Sequence, residues 1–106
     1  MIHLTADTKI LVATQAVDFR KQIDSLVRLC HQELKQNPRS GIYFVFINRA
    51  KTMVRILSYD GTGYWLATKR LSQGRYHGWP SSDQYLHSLI AKQLSALLKS
   101  TPCHQG

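Results

Sequence analysis

The chain has 106 residues, of which 43% are hydrophobic and 19% are charged, so its size and composition are those of one globular domain. Fourteen Lys and Arg residues against six Asp and Glu give a formal charge of +8, which makes a polyanion the natural class of partner. The longest apolar run, Ile42–Ile47, is far too short to span a bilayer, and the chain shows no secretory signal. We therefore expect a cytoplasmic protein with no membrane partner.

Two elements are predicted in the first third of the chain. The run Ile10–Ala13 is compatible with a short strand. Beyond it, apolar residues recur at helical spacing and predict an amphipathic helix over about Asp18–Gln36. Asp18 is its expected N-cap, and Asn37-Pro38 supplies the stop signal.

The middle of the chain predicts a three-stranded antiparallel meander. Ile42–Ile47 is continuously apolar, β-branched or aromatic, which is typical of a central strand covered on both faces. Polar turns at 48–51 and 60–63 separate this run from two further strands, Met53–Tyr59 and Tyr64–Lys69. We expect the run to be the centre of the sheet.

The last third predicts a loop and a second helix. Residues 74–80 form an irregular connection rich in glycine and aromatic residues. Leucines then recur at helical spacing and predict a helix over about Ser82–Lys99, while residues 101–106 should fray. The predicted fold is α+β: a small, mainly antiparallel sheet of three or four strands packed with two main helices, in a single domain over residues 1–100.

Basic and aromatic residues alternate through the hairpin region and the loop after it. The basic residues are Arg49, Lys51, Arg55, Lys69, Arg70 and Arg75. The aromatic residues are Tyr59, Tyr64, Trp65, Tyr76 and Trp79. Cations neutralise phosphates and exposed rings stack on bases, so the pattern indicates a nucleic-acid surface, provided that the cations gather on one water-facing side of the sheet. The alternative is that the rings face the core and the cations form an ordinary solvated face.

The segment Asp18–Lys21 brings one acid and two bases into the predicted first turn of a helix. It is either a salt-bridged cap with Arg20 on the surface, or a phosphate-binding helix start to which Arg20 adds a guanidinium. The segment Asp60–Gly63 is a turn, since it lacks the Lys-Ser or Lys-Thr ending of a phosphate loop and no helix follows it.

The residue types used in catalysis are scattered along the chain. A metal-dependent nuclease needs several carboxylates that converge on divalent cations, and no acidic pair shares an evident strand face. The histidines and cysteines do not repeat at zinc-site spacing, and Cys30 is expected in an apolar, unactivated environment. We therefore predict no catalytic residue, no metal, no cofactor and no enzymatic activity.

An ordered series of motifs resembles a known family over about Leu4 to Leu98. It consists of Asp18–Lys21 after a short strand, Gly41–Arg49, Ile56–Tyr64, Lys69–Leu71, Gly74–Tyr76 and Trp79-Pro80. Taken together, these motifs resemble the TnpB or second-open-reading-frame accessory proteins of the insertion-sequence 66 family. The sequence departs from that family at Tyr59, where the family usually has Trp, and at Ser72, where it usually has Glu.

The resemblance implies a protein that is encoded beside a separate, larger transposase and supports DNA transposition. Our first hypothesis is a non-enzymatic accessory factor that binds DNA through a basic hairpin surface. The residues assigned to that surface are Arg20, Arg49, Lys51, Arg55, Lys69, Arg70 and Arg75. The second hypothesis is a protein-interaction module in which Tyr76 and Trp79 dock on the co-encoded transposase without direct DNA contact.

Overall fold

The computed structural model describes residues 7–81 and 84–99, which form five strands and two helices. In chain order the elements are β1 (Ile10–Ala13), α1 (Ile23–Gln32), β2 (Tyr43–Ile47), β3 (Met53–Tyr59), β4 (Tyr64–Arg70), β5 (Leu86–Leu89) and α2 (Ala91–Lys99). The α+β class and the β2–β3–β4 meander are confirmed. Neither helix is long and apolar enough to cross a membrane.

The five strands form one mixed sheet in the order β4-β3-β2-β1-β5. β1 and β2 are parallel, whereas the other three neighbouring pairs are antiparallel. The prediction that β2 is the central strand is confirmed, but the predicted count of three or four strands is wrong.

The fifth strand comes from a segment predicted to be helical. Leu86 and Leu89 belong to β5, which pairs with β1 in the register Ala13↔Leu86 and Ile10↔Leu89. An unpaired edge of β1 would leave its backbone N–H and C=O groups without partners, and tertiary pairing of this kind overrides local helical spacing. The second helix is therefore shorter than predicted and begins at Ala91, and its predicted start at 82 and 83 lies outside the described residues.

The first helix is also shorter than predicted. It begins at Ile23 rather than Asp18, and its N-cap position is Gln22, whose side chain makes no capping hydrogen bond. The prediction that Asp18 is the N-cap is wrong because its carboxylate is bound by Arg20 in the loop before the helix. The helix ends at Gln32, and Lys35 has a φ of 56°, which is incompatible with its continuation.

Both faces of the sheet are covered. Alternate residues of β2 point to opposite sides: Phe44 packs with Leu26 and Cys30 of α1, whereas Val45 packs in the cluster that contains Leu94 of α2. All of these side chains are buried. This arrangement explains why β2 is apolar at every position.

Three connecting segments meet at one end of the sheet, because β1, β2 and β4 end where β3 and β5 begin. The Tyr76 and Leu71 N–H groups donate to the backbone oxygens of Lys51 and Thr52, and the Val17 N–H donates to the oxygen of Ile47 at the end of β2. The Trp79 indole N–H donates to the oxygen of Ala13 at the end of β1. The loop 14–22, the turn 48–52 and the loop 71–81 therefore form one continuous surface.

Tyr76 anchors the loop 71–81 in the core on the α2 side of the sheet. Its side chain is 2% exposed, and its ring meets the ring of Trp79 edge to face with the centroids 6.4 Å apart. Its buried hydroxyl has no hydrogen-bond partner within the described residues. Burial raises the pKa of this hydroxyl.

We expect Tyr76→Phe to leave the free energy of unfolding unchanged or to raise it, since it removes a buried hydroxyl that lacks a partner. Tyr76→Ala should lower it by about 3–5 kcal/mol, as for other buried aromatic side chains. Urea denaturation of both variants measures the difference. An equal decrease in the free energy of unfolding of both variants would show that the Tyr76 hydroxyl has a hydrogen-bond partner.

Candidate functional site

The end of the sheet at which β1, β2 and β4 finish is strongly basic, and we call it the basic end. Within residues 14–22, 48–53 and 69–76, seven residues are basic and only Asp18 is acidic. The basic residues are Arg20, Lys21, Arg49, Lys51, Lys69, Arg70 and Arg75. Half of the fourteen Lys and Arg residues of the chain therefore lie in three adjoining segments.

Most of the predicted nucleic-acid-binding residues are at this end, but they do not share one face of the sheet. Lys69 and Arg70 are neighbours in β4 and point to opposite sides, Lys69 opposite Val54 and Arg70 opposite Met53. The expectation of a single cationic face is therefore wrong because side chains alternate along a strand. What the cations share is the end of the sheet.

The turn between β2 and β3 is fixed by Asn48. Its side-chain oxygen accepts hydrogen bonds from the backbone N–H groups of Thr52 and Met53 at 2.9 and 3.0 Å, and its amide donates to the Thr52 hydroxyl at 3.1 Å. Lys51 has a φ of 62°, so the turn bends sharply there. As a result, Arg49 and Lys51 are both exposed to solvent.

Arg20 forms a bidentate ion pair with Asp18. Its Nη2 lies 2.8 Å from Oδ2, its Nε lies 3.1 Å from both carboxylate oxygens, and its backbone N–H donates to Oδ1 at 2.9 Å. These bonds, with a smaller contribution from the charge of Arg49, lower the pKa of Asp18 to about 2. The Arg20 side chain remains 91% exposed. The structure thus has the predicted salt bridge, in a loop rather than in a helix cap.

Arg55 holds the loop before α1 against the sheet. Its guanidinium carbon lies 4.7 Å from the centre of the Phe19 ring, and its Nη1 donates to the backbone oxygen of Lys21 at 3.1 Å. Its Nε is buried without a partner among the described residues. Of the predicted binding residues, Arg55 is therefore placed to position the loop that carries Arg20 and Lys21.

Lys69 and Arg75 lie at the border of the basic end. The Lys69 ammonium donates to the backbone oxygen of Leu98 at 2.8 Å, near the carboxyl end of α2, where a cation is favoured by the helix dipole. Arg75 is exposed in the loop 71–81, directly before the buried Tyr76. Both contribute to the local positive charge.

None of the predicted aromatic residues presents an exposed ring beside these cations. Tyr59 and Tyr64 form a ring pair with centroids 5.0 Å apart at the opposite end of the sheet, where the Trp65 indole N–H also donates to Asp60 at 2.7 Å. Tyr76 is buried, and the indole N–H of the half-buried Trp79 donates to the Ala13 oxygen at 2.9 Å. Three of the five predicted rings are therefore at the opposite end of the sheet from the cations, and the two in the loop 71–81 are packed against the sheet.

Among the Phe, Tyr and Trp side chains of the described residues, the exposed ring at the basic end is that of Tyr85, which is not one of the predicted site residues. Its side chain is 59% exposed. In the sequence, Tyr85 is distinguished only by its position directly before the leucines that predict the second helix. Lys21, which lines the larger cleft, is likewise absent from the predicted binding residues.

Two adjoining clefts open at the basic end, with volumes of about 440 and 540 Å³. Val17, Asp18 and Arg49 line both of them. The smaller cleft adds Arg20 and Arg55, and the larger one adds Lys21 and Tyr85. Arg49 therefore stands on the ridge between two partly cationic depressions.

The described residues contain no group of three or more His, Cys, Asp or Glu side chains that could hold a metal ion. Burial raises the pKa of the Cys30 thiol to about 12, so this thiol stays protonated and unreactive at neutral pH. The chemistry that the basic end offers is anion recognition by guanidinium and ammonium groups.

Comparison with known proteins gives one family and two relatives. The family model described as IS66 Orf2-like protein matches residues 8–105. Uncharacterized protein y4hO of Sinorhizobium fredii is 36% identical over 92% of this chain and 84% of its own length. Uncharacterized protein y4jC of the same organism is 38% identical over 82% of this chain and 74% of its own length. No solved structure matches the chain.

The ion pair of Arg20 with Asp18 predicts a measurable titration shift. Arg20→Ala should raise the pKa of Asp18 from about 2 toward its ordinary value of 3.8, because the carboxylate loses its side-chain hydrogen bonds. Since the folded-state pKa lies below the unfolded value, the pair stabilises the fold above about pH 4 and this contribution is lost as the pH falls toward 2. Carbon-13 NMR titration of the carboxyl groups measures the shift.

Asp60 is the internal control for this titration. Its pKa is lowered by hydrogen bonds from Thr62, Trp65 and Gly63 at the opposite end of the sheet. The pKa of Asp60 should therefore be the same in the wild-type chain and in Arg20→Ala. If the titration midpoint of Asp18 is the same in Arg20→Ala as in the wild-type chain, the ion pair does not form.

Proposed function

Because the chain belongs to the IS66 Orf2-like family, a family of accessory proteins of transposition, we propose that it serves transposition by binding DNA through the basic end of its sheet. The family confirms the resemblance seen in the sequence motifs. The observation that carries the DNA-binding proposal is the collection of seven cations and one neutralised acid in three adjoining segments.

The arrangement of these cations suits a phosphate backbone. Arg49 and Lys51 are presented by a turn that Asn48 holds in place, so their backbone is already ordered before a ligand arrives. Arg20 is oriented by Asp18 while its side chain stays exposed, and Arg70 lies beside Met53 on the same side as the smaller cleft. These four side chains are the proposed primary phosphate contacts.

The remaining predicted binding residues have secondary parts in this proposal. Arg55 positions the loop that carries Arg20, and Lys69 adds positive charge from its place at the end of α2. Arg75 extends the cationic surface along the loop 71–81. Binding of this kind depends on counterion release and is therefore salt-dependent.

The triple variant Arg49→Gln, Lys51→Gln, Arg70→Gln should weaken DNA binding strongly. Each phosphate contact that is lost should also reduce the slope of log K against log salt by about 0.9. Fluorescence anisotropy with labelled duplex at several salt concentrations measures both quantities.

The matched control is Lys9→Gln, Arg28→Gln, Lys92→Gln, which removes the same charge from exposed positions outside the three segments of the basic end. It should retain most of the affinity and the slope, because its charges act only over a distance. If both triple variants lose the same DNA affinity, binding depends on the net charge of the chain and not on a localised surface.

A protein partner from the transposition machinery is the second candidate function. One observation favours it: β4 is an edge strand of seven residues, and Trp65 on it is 53% exposed. An open edge offers backbone groups to an added strand, and an exposed tryptophan is a favoured anchor. Docking through Tyr76 and Trp79 stays a prediction, but it would require rings that now pack on the sheet to turn outward.

If β4 is the docking edge, Trp65→Ala should weaken association with the co-encoded transposase by about tenfold or more. Tyr85→Ala, which removes an equally exposed ring from the other end of the molecule, is the control and should have little effect. Biolayer interferometry with purified transposase gives both affinities. Binding that Trp65→Ala does not change would exclude this edge.

A further inference from the structure

The larger cleft at the basic end combines three kinds of wall. Lys21 and Arg49 supply positive charge, Leu29 and Leu34 supply apolar surface from α1 and the residues after it, and Tyr85 supplies an aromatic ring. Its volume of about 540 Å³ falls within the range of roughly 300–1,000 Å³ that small organic ligands occupy in proteins. A cleft with these walls suits a ligand that is flat and apolar on one side and anionic on the other.

Tyr85 is presented by an ordered backbone. Its carbonyl oxygen accepts a hydrogen bond from the Thr14 N–H at 2.9 Å, and the Thr14 hydroxyl donates to the neighbouring Gln84 oxygen at 2.7 Å. The next residue, Leu86, begins β5. The ring is nevertheless 59% exposed, so an aromatic surface is held in water beside the cationic wall. A ring that is placed in advance loses little conformational entropy when a ligand covers it.

Two acidic residues, Asp18 and Glu33, also line the cleft. Asp18 is neutralised by its ion pair with Arg20, whereas Glu33 lies on the wall formed by the end of α1. A carboxylate repels a phosphate, so Lys21 and Arg49 are the groups of this cleft that favour the anionic part of the ligand. The aromatic and apolar walls are left for the flat part.

We propose that this cleft binds one unpaired nucleotide of single-stranded DNA, with its base stacked on Tyr85 and its phosphate held by Lys21 and Arg49. The proposal rests on the DNA-binding function proposed above and names the form of DNA. In a duplex both faces of each base are covered by neighbouring bases, so the Tyr85 ring meets an open base face only on an unpaired strand.

The test compares a short thymidine oligomer with a duplex of equal length by fluorescence anisotropy. The wild-type chain should bind the single strand more tightly than the duplex. Tyr85→Ala should lower the affinity for the single strand by about five- to a hundredfold, the effect of removing one stacking ring, and leave duplex binding nearly unchanged. Tyr85→Phe, which keeps the ring and removes the hydroxyl, should retain the affinity.

Trp65→Ala removes the exposed ring at the opposite end of the sheet and is the matched control, with no expected effect on either ligand. Circular dichroism of each variant establishes that it is folded. The stacking site is overturned if Tyr85→Phe loses as much affinity as Tyr85→Ala, or if Tyr85→Ala weakens duplex and single strand equally. A higher affinity for the matching uridine oligomer would overturn the assignment to DNA.

The outcomes also separate this proposal from the DNA-binding function. If the wild-type chain binds neither ligand, DNA binding itself is wrong. If it binds duplex through Arg49, Lys51 and Arg70 while Tyr85→Ala has no effect on any ligand, only the single-strand site is wrong.

Discussion

The fold depends on a central strand that is apolar on both sides. Phe44 and Val45 of β2 point in opposite directions, so neither face of the sheet can be left to water. α1 covers one face, and α2 together with Tyr76 covers the other. The loop 14–22 leads from β1 to α1 and the loop 71–81 carries Tyr76, and both lie at the end of the sheet where β2 finishes. Two of the three segments of the basic end are therefore placed by the elements that cover the core.

Collecting cations at one end of a small domain is electrostatically unfavourable, and the structure offsets this cost locally. Arg20 has the carboxylate of Asp18, Lys69 has the carboxyl end of α2, and Arg55 has a backbone oxygen and the Phe19 ring. These contacts offset part of the repulsion without removing the excess of positive charge. The basic end therefore remains attractive to a polyanion.

Motifs that are far apart in the sequence become neighbours in this arrangement. Val17 beside the first motif donates to Ile47 of the second, and the charge of Arg49 contributes to the low pKa of Asp18. The hairpin motif that ends at Tyr64 lies at the opposite end of the sheet, where Asp60 organises the turn by accepting from Thr62 and Gly63. The family motifs therefore build two distinct ends: one that is basic, and one that carries paired aromatic rings and an exposed tryptophan on an edge strand.

The sequence by itself determined the α+β class, the meander and the central place of β2. A strand that is apolar at every position is usually covered on both faces, and this pattern can be read locally. It also identified the basic character and the family. Only the tertiary structure decided that Leu86–Leu89 is a strand, since the reason is the open edge of β1, which no local pattern records. The candidate site divides in the same way. The cations were visible in the sequence. Strand pairing and the loops that share one end of the sheet decided that the cations gather there, that Tyr76 is buried and that Tyr85 is exposed.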